Sequence, residues 1–203
     1  NENGVFLDIN DNFQNLSRIG LPPFIQSLFN SQIDIIQNGI STTELKLCVG
    51  DSYTLTAVDV PGGTYTWTKD GLPLAETTFQ LFVDEPGFYE VFIEPNNGEC
   101  PIEGEAIVGV FDIPVANQPN NITVCDATTT STFDFTTQNT DVLAAQNPAE
   151  FEVLYFTSLD DANNNLNNII GAFNNTENPQ EVFARVQNIN NPNCFDITSF
   201  FVE

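Results

Sequence analysis

The sequence predicts an all-β chain of tandem β-sandwich domains, the second carrying one or two short helices. Three observations carry that prediction. Short runs alternate apolar and polar residues, the period of a half-buried strand. Turn-forming residues (Pro61-Gly62-Gly63, Asp70-Gly71, Glu85-Pro86-Gly87, Asn96-Asn97-Gly98) separate those runs at roughly the 8–12-residue spacing of a sandwich. Four cysteines, at 48, 100, 125 and 194, fall near the edges of two regions of similar length. The 203 residues are 41% apolar and include 18 Phe, enough for packed cores in one large or two ordinary domains.

In chain order, residues 1–32 read as the tail of a preceding domain or a linker, interrupted by the extended break Leu21-Pro22-Pro23-Phe24. Residues 33–112 read as one sandwich. Ile33, Ile35 and Ile40 lead into Leu45 and Leu47, which alternate with Glu44 and Lys46. Tyr53, Leu55 and Ala57 alternate with Ser52, Thr54 and Thr56, and Tyr65 and Trp67 alternate with Thr64, Thr66 and Thr68. Asp70-Gly71 supplies the positive φ of a tight hairpin. Phe79, Leu81 and Val83, then Tyr89, Val91 and Ile93, then Ala106 to Phe111 complete the set of strands. Residues 113–203 read as a second β-domain, entered through a short linker with Pro114 and Pro119. Its expected strands lie at Ile122 to Cys125, Phe133 to Phe135, Phe151 to Phe156, Glu181 to Val186 and Phe195 to Val202. Ser158-Leu-Asp-Asp161 has the form of a capping box opening a short helix from Asp160 to Leu166, and Thr136 to Leu143 suits a second short helix or turn.

Four cysteines allow three pairings. Their placement favours Cys48 with Cys100 and Cys125 with Cys194, each closing one domain and each stabilising by about 4 kcal/mol in the chain-entropy model. No CxxC is present, so zinc-knuckle and thiol-redox readings lack support. Disulfides persist outside the cytosol, so the expected location is extracellular. No run reaches the roughly 18 to 20 continuous apolar residues of a membrane span, and no basic-then-apolar leader opens the chain. With no Met, the chain is expected to be a processed or internal piece of a longer polypeptide.

Residues 41–111 resemble the immunoglobulin-like or PKD-like modules of bacterial surface proteins. The likeness rests on Cys48, Gly50, Ser52, Leu55 and Thr56, then Tyr65, Trp67, Lys69, Asp70 and Gly71, then Pro86, Gly87, Tyr89 and Cys100. It implies a scaffold with Trp67 packed between two sheets. The second block resembles a repeat of giant flavobacterial (Bacteroidetes) surface proteins, including gliding-motility adhesins exported by type IX secretion. That likeness rests on Val124-Cys125-Asp126, Phe133-Asp134-Phe135, Tyr155 to Ala162, Asn178 to Val186 and Asn193-Cys194-Phe195-Asp196. It implies a repeat module and transfers no catalytic role.

Charge and composition narrow the function. Against 28 acidic residues stand 4 basic ones, which repels nucleic acid and anionic lipid headgroups. With no His, the Ser/His/Asp and Cys/His arrangements and the usual zinc sites are absent. The expected role is a structural or adhesive repeat, not an enzyme, whose partners are neighbouring repeats of the same chain and an external surface or polysaccharide. The alternative is a glycan-binding module using Phe82, Phe88, Phe92, Phe183 and Phe200, which the alternation places opposite their strands' core residues. Acidic pairs such as Asp160 with Asp161 and Glu103 with Glu105 are expected on solvated surface, although a glycosidase would also need paired carboxylates. No cofactor is expected. Leu7-Asp-Ile-Asn-Asp-Asn12 spaces side-chain oxygens as a calcium loop does and resembles the cadherin linker motif, but a solvated Asn/Asp turn is the simpler reading. Asn15, Asn121 and Asn174 begin sequons that an Asn-rich chain produces by chance.

Overall fold

A computed structural model describes residues 33–34, 36–37, 40–41, 44–125 and 130–203. The expectations for residues 1–32, for the calcium loop and Asn15 within them, and for Ile35 lie outside the described residues. The chain divides into two compact units. The first comprises the described residues up to Lys46 together with Gly50–Val110, and the second comprises Leu47–Val49 with Phe111–Glu203. The second unit is thus assembled from two pieces of the chain.

The first unit contains β1 (Ile33–Asp34), β2 (Ile36–Gln37), β3 (Ile40–Ser41), β4 (Leu45–Cys48), β5 (Tyr53–Thr56), β6 (Thr64–Lys69), β7 (Leu72–Pro73), β8 (Gln80–Val83), β9 (Gly87–Glu94) and β10 (Ile102–Phe111). The end residues of β4 and β10 count with the second unit. One sheet runs β1-β10-β9-β6-β7, with β4 also paired to β10, while β5 and β8 form a second sheet. Side-chain alternation selects the faces. Trp67 lies opposite Val91, Tyr65 opposite Ile93 and, across the second sheet, Leu55 opposite Leu81. All six are buried, and Trp67 is 0% exposed. The Trp67 indole N–H donates to the Thr78 carbonyl at 2.8 Å, so the largest side chain of this core leaves no polar atom unpaired.

Two turns fix the register. Asp70 and Gly71 adopt φ of 52° and 77°, as the hairpin between β6 and β7 requires. The Asp70 N–H donates to the Phe88 carbonyl, and the Asp70 carboxylate accepts the Phe88 N–H. The Tyr89 hydroxyl donates to the Glu85 carbonyl at 2.9 Å, the tyrosine corner of immunoglobulin-like sandwiches. A Cβ on Gly87 would lie 2.8 Å from Lys69 Cε, so a larger residue there would make the lysine stem shift on its way to Glu85. That hydrogen bond raises the Lys69 pKa and holds the Glu85 carboxyl below the usual range.

The second unit contains β11 (Thr132–Phe133), a 3₁₀ turn (Phe135–Gln138), α1 (Asn139–Leu143), β12 (Phe151–Phe156), α2 (Leu159–Asn164), β13 (Phe173–Asn174), β14 (Gln180–Asn188) and β15 (Phe195–Val202). Strands β12, β14 and β15 form an antiparallel sheet in that order, and β11 pairs with β13. Phe135 is central to the core. Its ring lies 5.1 Å from Tyr155 and 5.6 Å from both Phe173 and Phe200. The Tyr155 hydroxyl donates to Asn139 at 2.8 Å, and burial pushes its pKa upward. Ser158 caps α2, its hydroxyl accepting the Asp161 N–H at 3.1 Å, as the capping box predicts. The helix keeps Asp161 acidic through hydrogen bonds from Ser158 and then Asn167.

Two local expectations are corrected. The strand expected at Ile122 to Cys125 is only an isolated bridge from Ile122 to Val202. Phe200, expected on the outer face, is 0% exposed and faces the core opposite Val182. In the doublet Phe200-Phe201 either residue could point inward, and Val202, which shares the parity of Phe200, decides it.

Candidate functional site: the Cys48–Cys194 closure

The cysteines do not pair as expected. Cys48 is bonded to Cys194, with their Cα atoms 5.4 Å apart across a sequence separation of 146. Strand geometry explains why both expected bonds fail. The Val49 N–H donates to the Phe111 carbonyl, which sets Cys48 beside the far end of β10, whereas Cys100 precedes its first residue. A strand of that length spans about 33 Å, several times the reach of a disulfide. The same reasoning separates Cys125 from Cys194. Val124 N–H donates to the Glu203 carbonyl, at the end of β15, while Cys194 stands before its start. Cys100 is half-buried, and Cys125 is an exposed free thiol.

The loop from Ile189 to Cys194, joining β14 to β15, is held by buried asparagines. Asn188 and Asn191 are 1% and 2% exposed. Asn188 accepts the Asn190 N–H and donates from its amide to the Asp112 carbonyl, while Asn191 accepts the Asn193 N–H. The backbone closes the loop through Asn188 N–H to Cys194 O and Cys194 N–H to Asn191 O, both 2.9 Å. Short Asn side chains compensate backbone groups that no strand partner reaches.

Arg185 completes the closure. It projects from β14 on the face opposite Val182 and Val186, yet is 2% exposed. Its guanidinium donates to the carbonyls of Ala162 and Asn163 in the last turn of α2, to the Pro192 carbonyl, and to Gln187 Oε1, which lies 2.7 Å away. The guanidinium carbon also lies 3.6 Å from the centre of the Phe195 ring. The planar fork thus joins a helix C-terminus to the loop that carries Cys194, a geometry lysine cannot supply. Burial lowers the Arg185 pKa from its ordinary value. Arg185 lies in the quoted run Glu181 to Val186, but nothing in the run marks it as a clamp. The usable signal is an arginine inside an apolar strand of a chain with only 4 basic residues.

The other sequence candidates are dispersed. Phe82 and Phe92 are 62% and 40% exposed, while Phe88 and Phe183 are half-buried. Phe92 lies with Thr66, Thr68, Glu90, Glu103 and Glu105 around a depression of about 450 Å³ on the outer face of the first unit's larger sheet. Thr68 donates to Glu90 at 3.0 Å. Asp160 and Asp161 occupy the first turn of α2. Among the described residues, no group of three or more His, Cys, Asp or Glu is placed to hold a metal ion, and no helix is long and apolar enough to cross a membrane.

Residues 121–203 match the model of the Flavobacterium inter-domain disulphide bond domain. In this chain the bond joins Cys194, inside the matched segment, to Cys48, outside it. No curated protein matches the chain. Among solved structures, Sidekick-1 immunoglobulin domains 1–5 are 12% identical, with 79% of this chain and 37% of that one covered, at a TM-score of 0.44. The three N-terminal domains of the bacteriophage RB49 Hoc protein are 19% identical, with 78% and 55% covered, at 0.36. Titin fragment I67–I69 is 11% identical, with 79% and 62% covered, at 0.37. The chain spans less than two thirds of each of these structures.

Proposed function

We propose that this chain is a structural repeat module of a long extracellular bacterial surface protein, one that spaces or mediates attachment of the cell to a surface. The observation that carries the proposal is the Cys48–Cys194 bond, one end of which lies in a segment similar to the Flavobacterium inter-domain disulphide bond domain. A disulfide of this kind suits an oxidising compartment. The acidic surface keeps neighbouring copies apart and makes adhesion sensitive to salt and divalent cations. Neighbouring repeats and an external surface or polysaccharide are the partners, type IX secretion is the export route, and gliding motility is one setting for the module. No enzymatic step is assigned. The test is display in a flavobacterium, followed by protease shaving of intact cells and an attachment assay. The proposal expects a surface-accessible, oxidised chain whose removal reduces attachment. A reduced chain found only inside the cell contradicts it, as does unchanged attachment.

Phe92 favours a second reading. An exposed aromatic ring beside threonine hydroxyls and carboxylates can stack on a sugar and bond its hydroxyls. Glycan-array binding that Phe92→Ala abolishes would support a glycan-binding module, and an array with no hits would remove it.

A further inference from the structure

The position of the disulfide in the chain, apart from any question of location, determines where a pulling force travels. Tension between the two ends of the chain reaches Cys48 along β4 and leaves Cys194 along β15, which begins at the next residue. Between those strands the path is one covalent bond. Residues 49–193, with β5 to β14 and both helices, form a closed loop whose two ends are already joined.

We propose that the Cys48–Cys194 bond is a tension bypass, carrying end-to-end force around the greater part of both units so that their folded cores are not stretched. Three features support it. First, no non-covalent contact stands in series with the load across the bypassed residues. Hydrogen bonds from β14 to β15, and from Ile122 and Val124 to the end of β15, join the loaded strand to residues inside the loop, which follow it without being pulled apart. Second, the strands flanking the bond are already extended at about 3.3 Å per residue, so pulling them straight releases almost no length. Third, both cysteines are buried, at 7% and 1% exposed, which slows attack by soluble thiols without preventing it. The pairings expected from sequence would behave differently. Separate bonds at 48–100 and 125–194 would leave residues 101–124 loaded in series.

The test is single-molecule force spectroscopy on the whole 203-residue chain, held at its two ends. The oxidised chain should release no more than about 200 Å of contour, that of the residues outside the loop. Adding a dithiol reductant under constant force should then produce one further step of about 500 Å, the contour of the 146-residue separation. In that step a dithiol thiolate attacks one cysteine sulfur and the other leaves as thiolate. The second dithiol sulfur then closes a cyclic disulfide, leaving two protein thiols. A release near 700 Å from the oxidised chain would overturn the proposal, as would the absence of a step on reduction. Because the reductant acts on protein already folded, the result does not depend on how a cysteine variant folds. It is equally independent of surface attachment, so the bypass and the proposed function can fail separately.

Discussion

The two units close their cores by different means. The first relies on one fully buried Trp67, a tyrosine corner at Tyr89, and strands whose residues alternate cleanly between core and solvent. No described residue of its core uses a disulfide to join the sheets. The second unit has a strand, β14, in which Ala184 to Asn188 are all buried. Polar side chains on its second face are enclosed as well, bonded to α2 and to the loop that carries Cys194. The first unit therefore follows the period-2 pattern that a half-solvated sheet imposes. The second departs from it where a helix and a covalently held loop cover the outer face. The difference shows that a polar residue in a strand can be a solvent-facing residue or a buried clamp, depending on what packs outside it.

Four substitutions sharpen that contrast, and each is best followed unit by unit, because two units need not unfold as one. Trp67 is the sole tryptophan, so its fluorescence reports the first unit, while amide hydrogen exchange along β14 and β15 reports the second. The largest effect is expected from Cys194→Ser. A closed loop of this length contributes about 5 kcal/mol in the chain-entropy model, and urea melts should show the second unit losing most of its stability. Trp67→Ala should cost about 3–5 kcal/mol in the first unit and leave exchange in β14 unchanged. If both units weaken equally, the contrast between them is broken. Arg185→Lys keeps the charge but not the fork, and it leaves buried carbonyls of α2 and the loop without donors. It should cost about 2–3 kcal/mol, with protection lost first around Asn188 to Cys194. The smallest effect is expected from Tyr89→Phe, at about 1 kcal/mol, because it removes one hydrogen bond and retains the packing.

Much of the first unit was legible because its signals are local. Alternation placed Leu55, Trp67, Val91 and Ile93 inside, and Asp70-Gly71 stated its own turn. The Ser158 cap was readable for the same reason. What the sequence could not convey were facts about strand ends. Cysteine spacing suggested two local staples, but whether Cys48 lies near Cys100 or near Phe111 depends on which end of β10 the pairing strand meets. Cys125 and Cys194 were likewise separated by the length of β15. Phe200 was misplaced because adjacent phenylalanines carry no parity of their own. Arg185, Asn188 and Asn191 went unrecognised because Asn and Arg are normally surface residues. Only the covering helix and the covalently held loop turn them into interior ones.

The account rests most heavily on one covalent bond, and peptide mapping by mass spectrometry under non-reducing conditions tests it directly. The expected result is a single cross-linked species joining the peptide of Cys48 to that of Cys194, which reduction separates. Cross-links joining Cys48 to Cys100 or Cys125 to Cys194, or a free thiol at Cys48, would contradict the closure and the force path derived from it.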